Sequence, residues 1–104
     1  MKTIVTMTPQ TVEVELYVLD SLMADLVGHD RRPSAYILYL ALLRLGLPSG
    51  AVGISLQGLA TATGLSKTAV QRSVSHLARR GLVAIERAGP TEAPRYRVLQ
   101  PWRR

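Results

Sequence analysis

The run over residues 54–82 reads Ile-Ser-Leu-Gln-Gly-Leu-Ala-Thr-Ala-Thr-Gly-Leu-Ser-Lys-Thr-Ala-Val-Gln-Arg-Ser-Val-Ser-His-Leu-Ala-Arg-Arg-Gly-Leu. It constrains the chain most, because two helical patterns flank Thr63-Gly64-Leu65-Ser66. Ser55 can cap the first pattern, whose Leu56, Leu59 and Ala60 point inward. Gly64 reaches the positive φ of a sharp turn at low steric cost. Ser66 caps the second pattern, residues 67–80, in which Val70, Val74 and Leu77 form one buried stripe. Gly81 ends it, with Arg79 and Arg80 in the last turn, where the helix dipole favours cations. A glycine, one apolar residue and a serine cap between two amphipathic helices make a helix-turn-helix.

The flanking segments extend this pattern. Residues 82–87 and 95–99 are strand-like, and the breakers Gly89, Pro90 and Pro94 lie between them. Pairing Ile85 with Tyr96 and Val83 with Val98 puts apolar residues on one face and sets Glu86 opposite Arg95. Upstream, residues 34–45 are apolar on most sides, as a central helix would be, with Pro33 suited to its first turn. Gly46, Pro48, Ser49 and Gly50 stop that helix ahead of a very short strand at residues 52–54. At the start, Met1 to Met7 reads as an arm or small edge strand, and Thr8-Pro9 as a helix start. Val12, Leu16, Leu19, Met23 and Leu26 follow at helical spacing, and Gly28 closes the segment. Period two also fits residues 12–16, but the longer match favours helix. A second apolar edge, Val18, Leu22 and Val27 with Tyr17 alongside, widens the apolar surface beyond one stripe. The expected fold class is mainly α with a small β-hairpin (α+β).

Composition narrows the function classes. A chain of 104 residues suits one domain with one core, built from aliphatic side chains because phenylalanine is absent. No cysteine is present, which excludes disulfides, thiolate metal sites and thiol redox chemistry. There is neither a signal-peptide pattern nor an apolar run of membrane-spanning length, so a cytoplasmic, nucleoid-associated protein is expected. His29 and His76 are far apart in sequence and read as ordinary surface residues without a metal cluster. Glu13, Glu15, Asp20 and Asp25 read as solvated carboxylates of one acidic helix. With no phosphate-binding glycine loop and no nucleophile triad, the sequence points to no enzyme, cofactor or metal.

Charge is divided along the chain. Up to Asp30 one base, Lys2, stands against five acids, a net −4; from Arg31 onward twelve bases stand against two acids, a net +10. A polyanion would be drawn to the second part and repelled by the first. Eleven of the thirteen bases are arginine, whose planar fork suits phosphate and guanine edges.

Over residues 33–99 the chain resembles the winged helix-turn-helix of bacterial regulators in the style of the MarR and GntR families. The resemblance rests on Ser55-Leu56-x-x-Leu59-Ala60-x-x-Thr63-Gly64-Leu65-Ser66, then Val70-x-Arg72-x-Val74-x-x-Leu77, then Arg80-Gly81-Leu82-Val83. It implies a dimeric binder of operator DNA and a transcriptional regulator. The large effector domain of GntR-like proteins and the dimer-forming helices after the wing of MarR-like ones have no counterpart here. The expected layout is therefore an N-terminal arm and acidic dimerisation helix over residues 1–30, then a winged helix-turn-helix over 31–104.

With the buried stripe inward, a 100° step puts Thr68, Arg72, Ser75 and Arg79 on the opposite face of the recognition helix. Gln71 flanks that face and Lys67 stands at its exposed start. Lys67, Thr68, Gln71 and Arg72 are the expected base readers in the major groove, with Ser66 and Arg79 nearer phosphates. The wing, residues 87–95, would bring Arg87, Arg95 and Arg97 to the backbone or minor groove. Arg31 and Arg32 read equally well as phosphate contacts and as a solvated linker. Val12, Leu16, Leu19, Leu22, Met23 and Leu26 are the expected homodimer surface. A plasmid or phage replication initiator is an alternative within DNA binding, and a protein-interaction winged helix is one outside it.

Overall fold

A computed structural model describes residues 10–87 and 89–103. The arm over Met1 to Met7 and the Thr8-Pro9 helix start lie outside the described residues.

The central helix α1 spans Pro33–Leu45. Proline at its first position presets φ and gives up only an amide that would lack a partner there. Ala35, Tyr36, Leu38, Tyr39 and Leu42 are buried along it. Helix α2, Leu56–Thr63, is capped by Ser55, whose Oγ accepts the Gly58 N–H at 2.9 Å. Helix α3, Lys67–Arg79, is capped in the same way by Ser66, which accepts the Ala69 N–H at 3.0 Å. Between them Gly64 adopts φ +79°, a left-handed conformation that glycine reaches without a Cβ clash. The Thr63 hydroxyl donates to the Leu59 carbonyl at 2.7 Å and accepts the Leu65 N–H at 3.2 Å, so the turn satisfies its own polar groups. The expected inward stripe Val70, Val74 and Leu77 is buried, joined by Ser73.

Three strands form one antiparallel sheet in the order β1-β3-β2: β1 Ala51–Gly53, β2 Val83–Glu86 and β3 Arg95–Val98. The hairpin register is the one the apolar alternation specifies, with Val83 opposite Val98 and Ile85 opposite Tyr96. Val83 and Tyr96 are buried, whereas Ile85 is exposed. Glu86 is opposite Arg95, but its ion pair runs diagonally to Arg97 at 3.6 Å. The short strand before α2 lies one residue earlier than expected and adds to the free edge of β3, pairing Ala51 with Arg97.

The N-terminal helix departs most from expectation. Residues 10–15 are not helical; the helix opens with Leu16 and Tyr17 and continues as two π-wound segments, Val18–Leu22 and Ala24–His29, joined through Met23. The buried line is Val18, Leu22 and Leu26, four apart on one face and turned toward α1, where the Tyr36 hydroxyl donates to the Val18 carbonyl at 2.8 Å. Of the stripe expected from 3.6-residue spacing, only Leu26 is buried; Val12, Leu16, Leu19 and Met23 are exposed.

The C-terminal segment returns to this helix. Glu15 accepts from Gln100 Nε2 at 2.9 Å, Trp102 Nε1 at 3.2 Å and Arg103 Nε at 2.8 Å, and Tyr17 stacks on Trp102 with ring centroids 4.5 Å apart. Glu15 is thus a tethering carboxylate rather than a merely solvated one, and the Arg103 bond holds its pKa below the usual carboxylate value. Among the described residues, no helix is long and apolar enough to cross a membrane.

Which line of this helix is buried has a direct consequence for stability. Leu26→Ala, at a fully buried position, should lower the free energy of unfolding by about 2–5 kcal/mol in urea denaturation. Leu16→Ala, at a residue 72% exposed, should change it by less than about 0.5 kcal/mol. A 3.6-residue register burying Leu16 would make both substitutions costly.

Candidate nucleic-acid interface

Helix α3 buries one face and presents the other to solvent. Lys67, Thr68, Gln71, Arg72, Ser75 and Arg79 are all exposed, as the helical step requires once Val70, Val74 and Leu77 are inside. Five of these six (all but Lys67) line a single open hollow of about 570 Å³, together with Arg32 from the start of α1. No carboxylate contributes to its wall. Amide, hydroxyl and guanidinium groups around one concavity can donate to phosphate oxygens and to the acceptors of base edges. Ser66 is not among the residues lining the hollow, and its Oγ accepts the Ala69 N–H in the α3 cap.

The expected wing residues lie apart from that hollow's lining. Arg87 follows β2, and Arg95 and Arg97 project from the same side of β3, all three exposed. Glu86 partly neutralises Arg97, which leaves Arg87 and Arg95 as the cations with no ion pair among the described residues of this strand pair. The expected dimer residues also separate. Leu22 and Leu26 are consumed by the chain's own core, while Val12, Leu16, Leu19 and Met23 remain at the surface.

One polar cluster escaped the sequence reading. The Asp30 side chain, 7% exposed, accepts from His76 Nε2 at 2.7 Å, pairs with His29 Nδ1 at 2.9 Å and bonds Arg80. Arg80 also pairs with Asp25. Both histidines, read as ordinary surface residues, therefore meet at one carboxylate, and Asp25 is ion-paired rather than merely solvated. The cluster locks the last turn of α3 to the end of the N-terminal helix. Two spacings hinted at it: His76 and Arg80 are four apart on an α-helix, and Asp25 and Asp30 are five apart on a π-wound one. Asp25, His29 and Asp30 also bring three potential ligand atoms within 4.8 Å of one another, but the Arg80 guanidinium already occupies both carboxylates.

Two helices crossing at a glycine turn, the second with a free polar face, and an antiparallel sheet with a protruding β2–β3 hairpin together define a winged helix-turn-helix. The family model described as MarR family matches residues 36–91, more than half of the chain, and the chain belongs to the MarR family. It is accordingly a DNA-binding transcriptional regulator, of a kind that is generally not enzymatic. Comparison with curated proteins and with solved structures gave no match.

The Asp30 cluster predicts a pH response. Hydrogen bonds from His29, and then from His76 and Arg80, lower the Asp30 pKa from 3.8 to about 2, against the opposing effect of burial. A carboxylate whose folded pKa is depressed contributes stability above its unfolded pKa and loses it as pH falls toward the folded one. Wild-type stability should therefore fall between about pH 4 and pH 2, and Asp30→Asn should remove that component from the titration. Identical acid profiles for the two proteins would show that Asp30 is not held in this way.

Proposed function

We propose that this regulator reads duplex DNA sequence-specifically, with α3 in the major groove and the β2–β3 hairpin against the backbone. The observation that carries this reading is the carboxylate-free hollow that Thr68, Gln71, Arg72, Ser75 and Arg79 line with Arg32. Arg72 is suited to fork onto guanine and Gln71 to pair with adenine, with Lys67 and Thr68 beside them in the leading turns. Ser66 and Arg79 serve phosphates, and Arg87, Arg95 and Arg97 supply backbone contacts from the wing.

Residues 1–30 act in this reading as the arm and pairing element and residues 31–104 as the DNA-binding part. The exposed apolar residues Leu16, Leu19 and Met23, with Val12 and Val27 beside them, form the self-complementary face of a homodimer. The acidity of that segment keeps it away from DNA, so the two-fold pairing sets the spacing of half-sites.

Selection from random duplexes should recover a two-fold sequence, and affinity for it should fall steeply with salt. Arg72→Ala should cost about 1–3 kcal/mol of discrimination at one base pair. Arg95→Ala should weaken all duplexes alike. Failure to enrich any duplex, or binding indifferent to salt, would remove the reading. Sedimentation should give a dimer for wild type and a folded monomer for Leu19→Asp; a monomeric wild type would remove the pairing element.

A further inference from the structure

The connector between the N-terminal helix and α1, Asp30-Arg31-Arg32, is short, polar and tightly held. Its backbone is pinned by Asp30 N–H to the Asp25 carbonyl at 2.9 Å and by Arg32 N–H to the Leu26 carbonyl at 2.8 Å. Its first side chain is fastened to α3 through His76 and Arg80. Between the two pins Arg31 stands at φ +55°, the only described non-glycine residue with a positive φ. A side chain bearing a Cβ is disfavoured there, and glycine or asparagine is the low-strain choice. An arginine kept in such a conformation points to a use for its side chain.

A second hollow, of about 210 Å³, lies beside Arg31. It is lined by Arg31, Arg32 and Arg72, with Ser34, Ala69 and Ser73 among the other walls, and no carboxylate is present. Arg32 and Arg72 also line the larger hollow on α3, so the two share a wall. Three arginines therefore line one hollow beside the positive end of the α1 dipole, next to the α3 face.

We propose that Arg31 and Arg32 form a clamp for a DNA backbone phosphate flanking the groove that α3 reads, and that Asp30 is the residue positioning them. The inference rests on the DNA-reading assignment above and adds to it a site and a division of roles. Arg31 and Arg32 meet the phosphate. Asp30 never touches DNA. It fastens the connector to the last turn of α3, so that the clamp and the reading face keep one fixed separation.

Three variants test this against wild type, on the duplex recovered by random selection and on an unrelated duplex. Arg31→Gly relieves the left-handed backbone, so it should unfold at equal or higher denaturant concentration while binding both duplexes roughly ten-fold more weakly. Its salt slope should be shallower by about one, with the preference between the two duplexes kept. Arg32→Ala should show the same shallower slope. Asp30→Asn removes a negative charge close to DNA, and simple electrostatics would make binding tighter; loss of the positioning contact makes it weaker instead. Circular dichroism and urea unfolding establish that each variant is folded at the assay temperature.

Unchanged salt slopes in both arginine variants, or tighter binding by a folded Asp30→Asn, would overturn the clamp. Absence of duplex binding by wild type itself would instead remove the underlying reading, so the two failures are separable.

Discussion

Helix α1 is the surface on which the rest of the molecule is assembled. The N-terminal helix, α2, α3, β1 and β3 all pack against it, and Leu38, Tyr39 and Leu42 within it are completely buried. An element enclosed in this way has little side surface left for ligands. Just ahead of its N-terminal end, Arg32 opens into the hollow along α3. From this helix Tyr36 and Tyr39 each donate a hydroxyl to a main-chain carbonyl: Tyr36 to Val18 and Tyr39 to Leu99. The same helix thus fixes the start of the N-terminal helix and the end of the sheet.

Two polar fasteners complete the assembly from opposite ends of the N-terminal helix. Glu15 gathers Gln100, Trp102 and Arg103 near its start, and Asp30 gathers His29, His76 and Arg80 at its finish. Each is a single carboxylate satisfied by several donors, the arrangement in which a partly buried charge is stabilised by hydrogen bonds. Five acids up to Asp30 against the excess of arginine after it therefore do more than separate an acidic part from a basic one. Some of the acids hold the basic part in place, while Leu16, Leu19 and Met23 on the same helix remain exposed.

Local signals in the sequence were sufficient wherever one physical rule governed a segment. Ser55 and Ser66 cap their helices, Gly64 and Gly81 turn left-handed, and the alternation of Val83, Ile85, Tyr96 and Val98 sets the hairpin register. The exposed face of α3 follows from its buried stripe by geometry alone. The N-terminal helix offers two apolar lines at the same four-residue spacing, Leu19 with Met23 and Val18 with Leu22, so periodicity alone does not settle which is buried. Packing against α1, where Tyr36 bonds the Val18 carbonyl, buries the second. The Asp30 cluster was hidden for a different reason: its contacts join residues 46 and 50 positions apart, beyond the reach of any local pattern. Arg32 was visible as a cation, but only the packing of α1 against α3 brings it to the hollow along α3.

In the proposed complex DNA meets the α3 face and the connector ahead of α1, while the exposed apolar side of the N-terminal helix stays clear of it. Titration of isotopically labelled protein with its selected duplex, followed by two-dimensional NMR, tests this directly. The resonances that shift or broaden most should belong to Thr68, Gln71, Arg72, Ser75 and Arg32, with Leu16, Leu19 and Met23 undisturbed. Perturbations centred on those leucines and the methionine, with α3 unchanged, would contradict it.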